Sequence, residues 1–563
     1  MAKSYVVLKD APKMNYLNDF VALPKYYGTN AYFHREDVKA IRQTVFAALD
    51  ELDARTHFSQ KLKGNKKVLI KPNLVNVYHN SGYKEKDYPE TTDPRVFEAV
   101  VAYINKFTYN ITIIESSGKP FPATASFKIA GYDKIARYYK TDLIALERQP
   151  VVRYMLPKAE VMKEVYIPEI LDEVVKGEAF YISVPKMKTN LYTGVTLGFK
   201  NAMGTIPYYL RERNHSYLIN KKLTDLLYLF KPDLTVIDGI IGGEGNTPAP
   251  VDPVEVGMIV ASNQSVEADR ITTYMMGFDP AKNKLICEAD ARGFDDPDVE
   301  IIGTPRVTPF RPAIASVMVD EFHNRFPKVL GLAGHTLNDA PNITDKNAVT
   351  SEIALKLEQA CTGGCLSSIC MGFDCNHYSL KPNYNMEVAI IIGSGVEIDG
   401  ERYWFDRDGK PYSKQDIINL PQKKMAMGKC TGKDMIDIAE YKIMGCCDPA
   451  ECLSVASNAA GKLTPQLNPL RNPMLISTAV PEMIGTIKHK TSWILKGRHV
   501  DCPRAHEDKI FEIPTLSEED MKKDYISWPL PKLTGEAKKK ALIDQLNLLD
   551  SVTGIFKTIN YYR

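Results

Sequence analysis

The chain has 563 residues, 44% apolar and 25% charged, with 71 basic against 69 acidic side chains. That length implies two or three domains, and a net charge of +2 gives no electrostatic footprint for nucleic acid or an anionic membrane. No apolar run approaches the ~18 residues of a membrane span, and the opening MAKSYVVLKDAPK lacks the apolar core of a secretory signal, so the expectation is a cytoplasmic protein with reduced thiols.

Residues 1–65 read as a lead-in, with helical periodicity over 36–53 placing Val38, Ile41, Val45, Leu49 and Leu52 on one face. A predicted α/β substrate-binding domain follows over 66–330. KKVLIKPNL (66–74) is a short apolar run ended by Lys-Pro-Asn, a buried strand entering a loop. Asp93 and Pro94 then mark a helix N-terminus, as N-cap and first-turn proline, leading into VFEAVVAYINKF. ITIIESSG (111–118), AFYISVPKMK (179–188) and LTVIDGIIGGEG (234–245) repeat the strand pattern. Strands alternating with helices predict a parallel sheet.

In each of these strands polar residues stand at or just past the end of the apolar run: Lys71 and Asn73, Glu115 and Ser117, Lys186 and Lys188, Asp238 and Glu244. Open parallel sheets hold ligands beyond their carboxyl ends, so a shared cleft is expected there. Lys186 and Lys188 fall on one side by period-two spacing and would bring two positive charges to an anionic substrate. Lys200 and Asn201 lie between Gly198 and Gly204 in LGFKNAMG, where backbone approaches closely and a lysine binds an anion or forms an imine. His215, between residues 80 and 322 the only histidine, is the natural proton carrier. Asp238 and Glu244 are suited to a hard cation or a substrate hydroxyl. The glycines match neither a Walker A loop nor a dinucleotide fingerprint.

A second α/β domain is expected over 331–462, with strand-like runs MEVAIIIGSG and KKMAMGKC flanking a hairpin-like excursion rich in Asp-Gly turns. Eight of the ten cysteines lie between Cys361 and Cys452, and the first 286 residues contain none. Thiolates gathered in one region suit a soft metal or an iron–sulfur cluster. CTGGC holds Cys361 and Cys365, GKC holds Cys430, and GCCDPAEC holds Cys446, with Cys447 and Cys452 as alternates in that last motif. Four thiolates from three loops suit one [4Fe–4S] cube through Cys361, Cys365, Cys430 and Cys446; Cys370 and Cys375 leave room for a second. Four-thiolate zinc favours paired Cys-x2-Cys knuckles, which are lacking. Residues 463–563, rich in proline and poor in periodicity, read as an extended tail that wraps its own domains or a neighbouring subunit.

The first half resembles the family called domain of unknown function 362, through IKPNL, TTDPRVFEAV, ESSG, SVPKMKTN, TLGFKNAMGTIP, VIDGIIGGEGNTP and VEADRITTYMMGFDP in that order. The resemblance implies the α/β fold and its cleft, and iron–sulfur cysteines, which members often carry, but no settled reaction. The order of CTGGC, GKC and GCC is similar to the cysteine order of nickel–iron hydrogenase small subunits, with the proline after Cys446 displaced. The run from Lys188 to His215 is similar to the stretch of lactate racemase that holds a nickel-pincer nucleotide: Lys200 and His215 match in position, whereas Asn190 stands where a second histidine is expected, and an amide is a poor nickel ligand.

The expected function is an iron–sulfur oxidoreductase, or a reductive lyase or dehydratase, from an anaerobic context. It acts on a small anionic substrate held by Lys71, Asn73, Lys186, Asn190, Asn201, Asp238 and Glu244, with Lys188, Lys200 and His215 as catalytic candidates and an electron donor such as a ferredoxin. Two alternatives stay open: a non-redox isomerase or lyase resembling lactate racemase with a structural cluster, and an electron-transfer or assembly scaffold. A homo-oligomer is compatible with either.

Overall fold

Alternation of buried faces along the strands sets the architecture. In the computed structural model, residues 3–16, 27–75, 89–116, 122–207, 218–248, 250–360, 364–380, 386–444, 449–461, 475–500 and 515–561 are described. They divide into two units: Met1–Arg211 with Asn220–Pro312 and Gln466–Arg563, and Glu212–Ile219 with Ala313–Pro465.

The first unit carries β1 (Tyr5–Asp10), β2 (Lys67–Pro72), β3 (Ile111–Glu115), β4 (Asp142–Ala145), β5 (Val151–Met155), β6 (Glu164–Pro168), β7 (Ala179–Val184), β8 (Lys186–Asn190), β9 (Gly194–Thr196), β10 (Leu234–Glu244), β11 (Asp252–Ser262) and β12 (Glu300–Ile302). The main sheet runs β12-β1-β11-β10-β7-β2-β3-β4, with β8 beside β10 and β9 on β8. Strands β10, β7, β2, β3 and β4 are mutually parallel, as the alternation of strands and helices predicts. The sheet is nevertheless mixed: β11 runs antiparallel to both β10 and β1. The connection from β10 to β11, residues 245–251, is too short for the crossover a parallel pair needs.

Period two sends neighbouring residues to opposite faces. Val7, Val236 and Ile259 join the core under the helices Glu36–Thr56 and Pro94–Ile104. Val6, Ile237 and Met258 join a second core with Ala268 and Met275 of the helix Ser265–Met275. Asp93 caps the helix Pro94–Ile104 by accepting from the Arg95 amide, with Pro94 in the first turn. The segment read as a lead-in supplies β1 to this same sheet.

The C-terminal segment is not extended. It forms helices Val480–Leu495 and Gly535–Tyr561, and Ile494, Val500, Leu533 and Leu542 share a small core. Pro481 sits in a helix's first turn, where no backbone donor is needed, so proline content misled the sequence reading. A short strand, β20 (Ile526–Ser527), pairs with β5 of the same unit. The Arg153 guanidinium lies 3.7 Å from the Trp528 ring and donates to the Trp528 carbonyl at 2.9 Å.

The second unit holds β13 (Val329–Ala333), β14 (Val388–Ile392), β15 (Val396–Ile398), β16 (Glu401–Phe405), β17 (Pro411–Ser413), β18 (Lys423–Met427) and β19 (Tyr441–Ile443). Its order is β15-β16-β13-β14-β18-β19, with β17 on β16. Strands β13, β14, β18 and β19 are parallel and the β15–β17 excursion is antiparallel. Across the described residues no helix is long and apolar enough to cross a membrane.

Trp528→Ala removes the ring over Arg153 and should destabilise the protein by about 1 kcal/mol. Urea unfolding read by circular dichroism checks this.

Candidate functional site

At the carboxyl ends of β2, β3 and β7, and along the adjoining β8 and β10, the first unit buries a set of charges. Lys71, at the end of β2, is 1% exposed and Glu115, at the end of β3, is 2% exposed. Their contact is 2.8 Å. The Lys71 ammonium also donates to the Asn201 side-chain oxygen at 3.0 Å. Glu115 accepts from the Leu74 amide at 2.9 Å and the Ser116 amide at 2.7 Å. Asn73 donates to the same Asn201 oxygen at 3.2 Å, and Asn201 donates to Ser183 Oγ at 3.0 Å. Lys71, Asn73, Glu115 and Asn201, remote in sequence, thus form one hydrogen-bonded set.

The segment Lys200–Thr205 lies directly over this set. A Cβ at Gly204 would stand 2.7 Å from both Lys71 Nζ and Glu115 Oε1, so a side chain there would displace the pair. The loop is pinned from the other side by Asp269, whose carboxylate accepts from the Gly198 and Phe199 amides at 2.6 and 3.0 Å. Burial pushes the Asp269 carboxyl up to about 8 against those two donors.

A second pair lies on β8 and β10. Lys186 and Asp238 face each other in register and are fully buried, with Nζ 2.9 Å from Oδ2. Asp238 also accepts from the Asp93 amide at 2.7 Å. Burial pushes its carboxyl up, against the pull of Lys186. Lys188, two residues on, is 1% exposed, and its ammonium donates to the Glu90 backbone carbonyl. Burial moves the Lys188 amine down to about 7; Glu90 and Glu115 oppose the shift, while Lys200 and Lys186 deepen it. Lys188 therefore presents a substantial neutral, nucleophilic fraction of its amine near neutral pH.

Three sequence candidates have other partners. The Asn190 side-chain oxygen accepts from the Tyr192 amide, the Thr193 amide and the Thr193 hydroxyl at 3.0–3.1 Å, a local turn that occupies it. Glu244 accepts from the Arg311 amide at 2.7 Å, and Asp238 is committed to Lys186, so neither carboxylate is held ready for a hard cation. His215 lies outside the described residues. Sequence reasoning missed Glu90 and Asp269; an acidic residue on the otherwise buried face Val266, Ala268, Thr272 of a helix was the available signal for Asp269.

In the second unit, β18 ends at Met427 and the chain turns through Gly428 at φ +83°. A Cβ there would lie 3.5 Å from Cys430 Sγ and 3.9 Å from Cys365 Sγ, so sulfurs 65 positions apart in sequence border one point. The Gly428 amide donates to the Ile443 carbonyl at 2.8 Å, tying in β19, whose chain continues towards Cys446. Cys365 opens the helix Cys365–Leu380, where the helix dipole favours negative charge. Cys361, Cys446 and Cys447 lie outside the described residues. Cys370, Cys375 and Cys452 are buried. Steps of five residues along a helix turn side chains by about 140°, so Cys365, Cys370 and Cys375 face different ways. Cys370 belongs to the apolar core, and burial pushes its thiol up. Cys452 Sγ lies 3.9 Å from the Cys365 carbonyl. Among the described residues no group of three or more His, Cys, Asp or Glu suits a metal; a four-thiolate site needs the two cysteines beyond them.

The order of the strand-end motifs matches that of a known family over residues 68–274, described as Domain of unknown function (DUF362). This segment is a DUF362 domain. It includes Lys71, Glu115, Lys186, Lys188, Lys200, Asp238 and Asp269. The Thylakoid-associated protein sll1697 of Synechocystis sp. (strain ATCC 27184 / PCC 6803 / Kazusa) is 26% identical over 250 residues, covering 43% of this chain and 72% of its own. No solved structure matches the chain.

Lys71→Met and Glu115→Gln should each cost about 3–5 kcal/mol by stranding a buried charge, and the double variant much less than their sum; a denaturant double-mutant cycle measures this. Stability should also respond to Lys188. Its folded value near 7 lies below the unfolded 10.5, so between those limits the unfolded chain binds more protons. Stability relative to Lys188→Met should then rise with pH across that window, by on the order of 1 kcal/mol per unit, and unfolding curves at stepped pH check the sign.

Proposed function

We propose that the protein is an iron–sulfur enzyme acting on a small anionic substrate bound at the lysine-bearing strand ends of the DUF362 domain. The single observation that carries the reading is the approach of the Cys365 and Cys430 sulfurs to one point at Gly428. Two thiols brought there from a helix start and a strand end fit half of a thiolate cage. Cys361 and Cys446 would supply the other half. When bound, a [4Fe–4S] cluster supplies low-potential electrons or an open iron position, delivered from a donor such as a ferredoxin for an oxidoreductase or reductive lyase.

The chain's own residues then divide the work at the strand ends. Lys71 and Lys186, ion-paired with Glu115 and Asp238, frame the site. Lys200, borne on the loop over Lys71, meets the anion, and Asn201 and Asn73 orient it. Lys188 exchanges a proton near neutral pH, with His215 as a second proton carrier. The racemase-like alternative loses support where Asn190 is taken up by its own turn.

Metal and acid-labile sulfide analysis of full-length protein purified without oxygen tests the reading. About four irons and four sulfides per chain are expected, with Cys365→Ser and Cys430→Ser losing them and Cys287→Ser, an exposed cysteine of the other unit, retaining them. Zinc without sulfide would contradict it.

A further inference from the structure

Of the buried lysines at the strand ends, Lys188 is placed differently from its neighbours. Lys71 is in contact with the Glu115 carboxylate and Lys186 with that of Asp238. Lys188 instead donates to a backbone carbonyl, that of Glu90. Its stem is packed against β10 at Gly243, where a Cβ would stand 3.3 Å from Lys188 Cβ and 2.8 Å from the Pro89 carbonyl. The amine is thus fixed at one spot, walled by β10 on one side and the Pro89–Glu90 segment on the other. Lys186 and Lys200 are near enough for their charges to act on it.

We propose that Lys188 is a nucleophile that forms an imine with the carbonyl carbon of a small oxo acid whose carboxylate is met by Lys200. This names the substrate class for the anion site proposed above and rests on that reading, but not on the cluster. In the step, the Lys188 nitrogen attacks the carbonyl carbon and a C–N bond forms. The resulting carbinolamine loses its oxygen as one water, the protons coming from the amine and from the site. Nothing is oxidised or reduced. Burial and two neighbouring lysines lower the amine enough that its neutral fraction, with the lone pair the attack needs, is substantial near pH 7.

The test uses the full-length protein with pyruvate as probe and sodium cyanoborohydride as trap, the labelled lysines being mapped by peptide mass spectrometry. Calorimetric titration with pyruvate is run alongside. The expected result is a pyruvate adduct at Lys188 exceeding that at exposed lysines by about tenfold or more. Lys188→Arg should remove that adduct. Lys200→Gln should weaken trapping of pyruvate more than that of acetaldehyde, which lacks a carboxylate. Mapping on the native protein locates the adduct even if a variant fails to fold. Adducts confined to exposed lysines would overturn the imine. If pyruvate still binds in that case, the anion site survives; if it does not bind, both fall together.

Discussion

Placing several lysine ammonium groups where water is almost excluded is the constraint on which the first unit depends. An isolated buried charge costs several kcal/mol, and hydrophobic side chains of similar volume would serve stability as well or better. The fold meets that demand locally. Glu115 answers Lys71 across neighbouring parallel strands, and Asp238 answers Lys186 in register. Backbone amides at Leu74, Ser116 and Asp93 satisfy the remaining carboxylate lone pairs. The glycine-bearing loop after β9 then closes over the first pair at a distance where a side chain would displace it. A packed network of this kind at the carboxyl ends of parallel strands is where α/β proteins place chemistry, and buried titratable groups with displaced values cluster at such places.

The second unit obeys the same topological rule with different side chains. Its parallel strands also end in glycine turns, and the turn after β18 brings Cys430 to the sulfur of Cys365. Cys365, Cys370 and Cys452 share the apolar core, where a Cβ at Gly372 would meet Ala456 at 2.7 Å. Proximity along the chain is therefore a poor guide to which thiols share a centre. Cys365, Cys370 and Cys375 are close in sequence and diverge on a helix, whereas Cys365 and Cys430 are far apart and meet.

Much of the first unit was legible because buried parallel strands are written as continuous apolar runs with polar residues at their ends. The runs at 66–74, 111–118, 179–188 and 234–245 all became strands, and the capping Asp93 and Pro94 marked a true helix start. What escaped were features set by tertiary context. The antiparallel β11 is decided by a connection seven residues long and not by its composition. The helices after residue 475 were hidden by prolines that fall in first turns or between elements. Lys71 was read correctly near a strand end, whereas Lys186 and Lys188 open a further strand just past β7; the carboxylate partners of Lys71 and Lys186 depend on register across strands, which one sequence does not display. Glu90 was invisible for the same reason.

The central claim is that the strand ends hold a buried lysine whose amine is free to react at neutral pH, set beside lysines paired with carboxylates. Competitive acetylation of the native protein, followed by mass spectrometry at stepped pH, reads the titration of Lys188 directly. A midpoint near 7 is expected; a midpoint near the ordinary lysine value of about 10.4 would contradict it.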